Sequence, residues 1–114
     1  MTTVYGIKNC DTVKKARQWL EQQGVDFRFH DFRVDGLNEE HIAAWRKQID
    51  WQTLLNKRST TWKKLDDNTR EALNDDTVVE LLVAHPTLIK RPVMEHDGKV
   101  YVGFKISEYE ALFL

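Results

Sequence analysis

The apolar and polar positions change period three times along the chain. Thr3-Val4-Tyr5-Gly6-Ile7 is a short run of strand formers. After the polar turn Asn9-Cys10-Asp11-Thr12, the residues Val13, Ala16, Trp19 and Leu20 recur at helical spacing. Lys14, Lys15, Arg17 and Gln18 fill the other face of that helix. Gly24 stands where a helix end favours the left-handed conformation. From Val25 to Phe32, Phe27 and Phe29 alternate with Arg28 and His30, the period of a strand. Strand, helix and strand in so short a span predict a βαβ unit with a right-handed crossover.

The middle of the chain is predicted to be helical. Asp35-Gly36 marks a turn, and Asn38 is an N-cap ahead of Ile42, Ala43, Trp45, Arg46 and Ile49. Trp51–Leu55, Trp62–Leu65 and Thr69–Leu73 give shorter helical pieces around the polar tract Asn56-Lys57-Arg58-Ser59-Thr60-Thr61. Asp75 or Asp76 is expected to cap a helix carrying Val78, Val79, Leu81, Leu82 and Val83. His85-Pro86 ends it, because the residue before proline is pushed out of helical backbone. Strand patterns return at Pro92–His96 and Lys99–Phe104 around Asp97-Gly98, a two-residue hairpin signal. Ser107 is the expected cap of a last helix with Tyr109, Leu112 and Phe113. The order is βαβ, a helical insertion over 37–86, then ββα, within one domain spanning 1–114.

Composition narrows the function classes. A chain of 114 residues can bury one core. Its 17 basic and 18 acidic side chains are interspersed, with a net charge of −1, so direct nucleic-acid binding is not expected. No stretch is apolar for long enough to span a bilayer. The opening Met1-Thr2-Thr3-Val4-Tyr5 lacks the charged and apolar regions of a signal peptide. One cysteine excludes an internal disulfide, and a cytoplasmic, monomeric protein is the expectation. His30, His41, His85 and His96 show no metal-ligand spacing, so no metal site is expected.

That cysteine, Cys10, is the chief chemical candidate. A lone cysteine is commonly a small buried apolar filler. Here it falls between a strand and a helix N-terminus, where unpaired N–H groups and the positive end of the helix dipole favour the thiolate, the reactive form. Asp11 places a negative charge beside it and works partly against this.

The βαβ…ββα order, with a cysteine after the first strand and a proline opening the third, resembles the thioredoxin-like fold: α/β, with a mixed four-stranded sheet. Three tracts make the resemblance specific: Tyr5–Ala16, Asn56–Leu65 and His85–Val93. With Phe29–Leu37, they resemble the arsenate-reductase-like (ArsC/Spx) family, in particular its Spx/YffB branch. The resemblance implies that Cys10 is the nucleophile and that Arg58 and Arg91 stabilise its thiolate or hold an anionic substrate. It also implies that Pro92 forms a cis peptide with Arg91. Two guanidinium groups offer bidentate hydrogen bonds to an oxyanion or carboxylate.

The sequence departs from the family pattern in two places. The third anion-binding arginine of the arsenate reductases has no counterpart, and the nearest cation is Lys105. The Cys-x-x-Cys switch of Spx is replaced by Cys10-Asp11-Thr12-Val13. A single thiol needs an external thiol to complete a cycle. Glutathione is the expected co-substrate, its carboxylates suiting Arg58, Arg91 and Lys8 or Lys14. The leading expectation is a glutathione-dependent monothiol reductase with no bound cofactor. The alternatives are an Spx-like regulator that binds RNA polymerase, through a patch around Trp45, Trp51 and Trp62, and an arsenate reductase with an incomplete arginine set.

Overall fold

A computed structural model describes residues Met1–Leu114. The chain resolves into two compact units, Met1–Gly36 with Arg91–Leu114, and Leu37–Lys90.

The first unit holds β1 (Thr2–Gly6), α1 (Asp11–Gln22), β2 (Arg28–Asp31), and, after the second unit, β3 and β4 (Val93–His96, Lys99–Val102). It closes with a terminal helix, Ile106–Phe113. The sheet order is β2-β1-β3-β4, parallel between β1 and β2 and antiparallel elsewhere. This is the mixed four-stranded sheet that the resemblance to the thioredoxin-like fold implies. Asp97 and Gly98 take φ of 50° and 81°, the left-handed pair that a tight hairpin between twisted strands requires. Gly24, at φ 72°, lets the chain leave α1 as expected. β2 is shorter than the predicted Val25–Phe32. It ends at Asp31 because that side chain turns the backbone, accepting the Arg33 N–H at 2.8 Å while the Asp31 carbonyl accepts Asp35 N–H at 2.7 Å.

Alternation along the strands gives the sheet two unlike faces. Val4 and Met94 pack with Ala16, Leu20 and Tyr109 into a sealed cluster, bordered by Trp19, Phe29, Tyr101, Phe104 and Phe113. The other face carries Tyr5, whose hydroxyl donates to Glu95 Oε1 at 2.6 Å and whose ring lies 4.8 Å from that of His30. Burial, and then the bond to Glu95, raises the Tyr5 pKa above the ordinary phenol range.

Tyr109 is fully buried among aromatic rings, and its hydroxyl has no hydrogen-bond partner. Burial raises its pKa, with the neighbouring Glu108 charge adding to the effect. An unsatisfied buried hydroxyl costs about 1–3 kcal/mol. Tyr109→Phe keeps the ring contacts and is expected to raise unfolding free energy by about 1 kcal/mol in urea titrations. A pKa higher in the folded than in the unfolded chain means stability is full below the unfolded value and falls as pH rises beyond it. The Phe variant therefore also loses less stability than wild type above about pH 10.

The second unit is helical, as its sequence predicts: α2 (Glu39–Arg46), α3 (Trp51–Leu54), α4 (Thr60–Lys64), α5 (Asp67–Glu71) and α6 (Thr77–Ala84), then a 3₁₀ turn, Pro86–Leu88. Its core is formed by Ile42, Trp45, Leu54, Val78, Leu82, Leu88 and Ile89, all fully buried. Asn38 caps α2 in a capping box with His41. Several other caps differ from expectation. α4 begins at Thr60, because Ser59 accepts the Thr61 N–H. α5 begins at Asp67, because Asp66 accepts the Thr69 N–H at 2.7 Å; hydrogen bonds from Thr69 lower the Asp66 pKa. At α6 neither Asp75 nor Asp76 caps through its side chain. Asn74 Oδ1 does so, accepting the Asp76 and Thr77 N–H groups at 2.8 and 3.0 Å. In the first unit, Ser107 likewise lies inside the terminal helix, whose N-cap is Lys105 and lacks a side-chain cap bond. No helix is long and apolar enough to cross a membrane.

Candidate active site

The register of the sheet assembles the site. Tyr5 faces Val93 across the β1–β3 ladder, and Val93 faces Val102 across β3–β4. Beyond these pairs, Phe32 N–H donates to the Gly6 carbonyl and Gly103 N–H to the Pro92 carbonyl, each at 2.8 Å. The ends of β1, β2 and β4 and the start of β3 therefore share one end of the sheet. Lys8 and Cys10 follow β1 there, Arg91 and Pro92 precede β3, and Lys105 follows β4. Five of the six predicted site residues thus come from one sheet end. The sixth, Arg58, belongs to the second unit. It is exposed in the turn before α4, with its backbone N–H donating to Asn56 Oδ1 at 3.1 Å.

Cys10 is the N-cap of α1, with extended backbone at φ −108° and ψ 122°. Its carbonyl accepts the Lys14 N–H at 3.0 Å, the first bond of the helix. Asp11, Thr12 and Val13 precede that bond, so their N–H groups have no intrahelical partner. The thiol is free and half-buried. Asn9 and Thr12 beside it are exposed, as are Lys8 and Lys105.

The first turn of α1 is held tightly against β1. A methyl group at Gly6 would lie 2.7 Å from Val13 Cγ2 and 3.3 Å from Cγ1. Gly6 therefore serves close approach rather than unusual backbone. Sequence pattern alone could not separate those two reasons for a glycine.

The Arg91–Pro92 peptide is cis. Pro92 is buried, and its carbonyl is taken by Gly103, which needs φ 84° to make the turn. Arg91 is half-buried, and its Nε and Nη1 are sealed from solvent without a hydrogen-bond partner. Buried guanidinium nitrogens are normally satisfied by a carboxylate, phosphate or carbonyl. Two unmet donors therefore lie at the thiol's end of the sheet. The sequence points to Arg91 through its family resemblance, but its sealed state has no local signal in the sequence. No group of three or more His, Cys, Asp or Glu side chains is arranged to hold a metal.

This arrangement has clear relatives. An uncharacterized protein of Haemophilus influenzae is 49% identical over 113 residues, covering 99% of each chain. A solved structure described as a YFFB protein superposes with a TM-score of 0.96 at 43% identity over all of both chains. The global transcriptional regulator Spx of Streptococcus pyogenes is 26% identical over 113 residues, covering 97% of this chain and 84% of its own. The ArsC family pattern matches residues 5–112. With its thioredoxin-like sheet and the cysteine at the N-cap of its first helix, the chain belongs to the ArsC family.

Proposed function

We propose that the protein is a glutathione-dependent monothiol reductase in which Cys10 is the nucleophile. The observation that carries this reading is the pairing, at one sheet end, of a free thiol at a helix N-terminus with an Arg91 guanidinium whose buried donors lack partners. Cys10 thiolate attacks the glutathione sulfur of a mixed disulfide. A Cys10–glutathione disulfide forms, and the other thiolate leaves and takes a proton. A second glutathione thiolate then attacks that disulfide, giving oxidised glutathione and restoring Cys10 thiolate. Over the cycle, one mixed disulfide and one glutathione thiol give one free thiol and one oxidised glutathione. Arg91 holds a carboxylate of the incoming thiol. Pro92 fixes the chain beside Arg91, while Lys8 and Lys105 add long-range attraction for an anion.

Arsenate is the alternative substrate. Lys105 offers it a point charge where a planar fork would bind two oxygens, which favours the disulfide reading. The Spx likeness supports a regulator that acts through RNA polymerase. Of the tryptophans such a surface was expected to use, Trp45 is fully buried, while Trp51 and Trp62 are half-buried, Trp62 with Lys57 and Arg70 near its ring.

The test is intact-mass analysis of the reduced protein after exposure to oxidised glutathione, with coupled turnover of a hydroxyethyl–glutathione mixed disulfide. One glutathione per chain is expected on Cys10, released by added glutathione, with steady turnover and none in Cys10→Ser. Absence of both adduct and turnover defeats the reading. Arsenate turnover or capture of RNA polymerase in the same preparations would transfer the assignment to the corresponding alternative.

A further inference from the structure

We infer that the solvent face of α1 carries a subsite for the zwitterionic γ-glutamyl head of glutathione, with Lys14 and Arg17 taking its α-carboxylate and Glu21 its α-ammonium. The inference rests on the reductase reading and names what selects the thiol. A groove of about 200 Å³ is lined by Lys14, Arg17, Gln18 and Glu21. Their spacing of three and four residues places them on one helix face, beside the buried stripe Val13, Ala16 and Leu20. The cap of that same helix is Cys10.

Arg17 is not a loose surface charge. Its guanidinium carbon lies 4.0 Å from the centre of the Phe29 ring, and its Nε is sealed from solvent without a partner. Stacking on the ring orients the planar fork and reduces the rotamer freedom lost on binding. Glu21 lies one turn beyond Arg17, a spacing at which such pairs can meet, yet no ion pair joins Glu21 to Arg17 or Lys14. Two cations followed by one carboxylate, none of them paired, match the charge order of an α-amino-acid head.

The lengths agree. Arg17 is seven residues beyond Cys10, roughly 10 Å along the helix axis at 1.5 Å per residue. An extended γ-glutamyl-cysteine arm has about three peptide lengths between sulfur and α-carboxylate, also roughly 10 Å. Glu21 lies farther along, four residues beyond Arg17, which puts it on the same face one turn away. A glutathione sulfur at Cys10 can therefore lay its amino-acid head in the groove.

The test compares the hydroxyethyl mixed disulfides of glutathione and of cysteinylglycine, which lacks the γ-glutamyl arm, as the substrates whose thiol becomes bonded to Cys10. Each KM is that of the disulfide named by its thiol. Arg17→Gln is expected to raise KM for glutathione by about five- to ten-fold, the loss of one charge-assisted contact at a half-exposed site. KM for cysteinylglycine should move by less than about two-fold. Glu21→Gln is expected to raise KM for glutathione as well. If it lowers KM, the groove takes a simple anion, and the amino-acid head is the wrong ligand. Equal shifts for both thiols would also overturn the proposal. A second measurement does not depend on turnover: NMR titration of Cys10→Ser protein with S-methylglutathione should shift the amides of residues 14–21, and S-methyl-cysteinylglycine should not. Those shifts without turnover would defeat the reductase and keep the groove. Turnover without them would keep the reductase and defeat the groove.

Discussion

Gly6→Ala is expected to lower stability by about 1–3 kcal/mol, the usual cost of forcing extra volume into a packed interior. The new methyl would lie 2.7 Å from one Val13 methyl and 3.3 Å from the other. Valine in a helix has one strongly preferred rotamer, and its two branches leave no rotation that clears both contacts. The strain must therefore pass to the backbone of α1, which moves away from β1 and takes its N-cap, Cys10, with it. For a chain of this size the melting temperature should fall by roughly 4–15 °C. Turnover should fall further than stability explains, because a displacement of about 1 Å at a reacting atom can cost about 10²-fold. The check is a double-mutant cycle in urea with Val13→Ala. Removing the valine methyls costs stability alone but should relieve the alanine, giving a coupling of about 1–2 kcal/mol between the sites. Strict additivity, with turnover unchanged, would show that the close approach does not position the thiol.

That contact also marks what sequence reading can and cannot recover here. The period of α1, the left-handed Gly24 and the Asp97-Gly98 hairpin were legible because each depends on residues a few positions apart. Caps were less so. Asn74 outcompeted Asp75 and Asp76 because its carboxamide can accept two backbone N–H groups from two residues upstream of the helix cap. The terminal helix began at Ile106, one turn position before the serine that looked like its start. Pairings across the fold left no local trace. The Tyr5–Glu95 bond joins residues 90 positions apart, and Arg17 finds Phe29 through the packing of a helix on a sheet. For the site, Cys10 and Pro92 could be located from their positions beside predicted strands. The state of Arg91 could not, since a sequence does not reveal whether a guanidinium is solvated or sealed.

The sealed Arg91 leads to the prediction with opposite signs for stability and activity. Arg91→Met is expected to make the ligand-free protein more stable by about 1 kcal/mol while lowering kcat/KM for the glutathione mixed disulfide by about 10²-fold. Nε and Nη1 are buried without partners, so wild type bears their desolvation with nothing gained in return until an anion arrives. Methionine has similar length and adapts to irregular space, so it removes that cost without opening a large cavity. Activity falls because a carboxylate loses its charge-assisted donors, and a hundred-fold loss corresponds to about 2.7 kcal/mol of transition-state binding. Arg91→Lys should lie between the two, keeping a positive charge but not the fork. Sulfate provides a reading independent of turnover. It should raise the melting temperature of wild type by mass action and have a much smaller effect on Arg91→Met. A methionine variant that is less stable, still active and equally responsive to sulfate would make Arg91 a structural residue, and the anion would have to be held elsewhere.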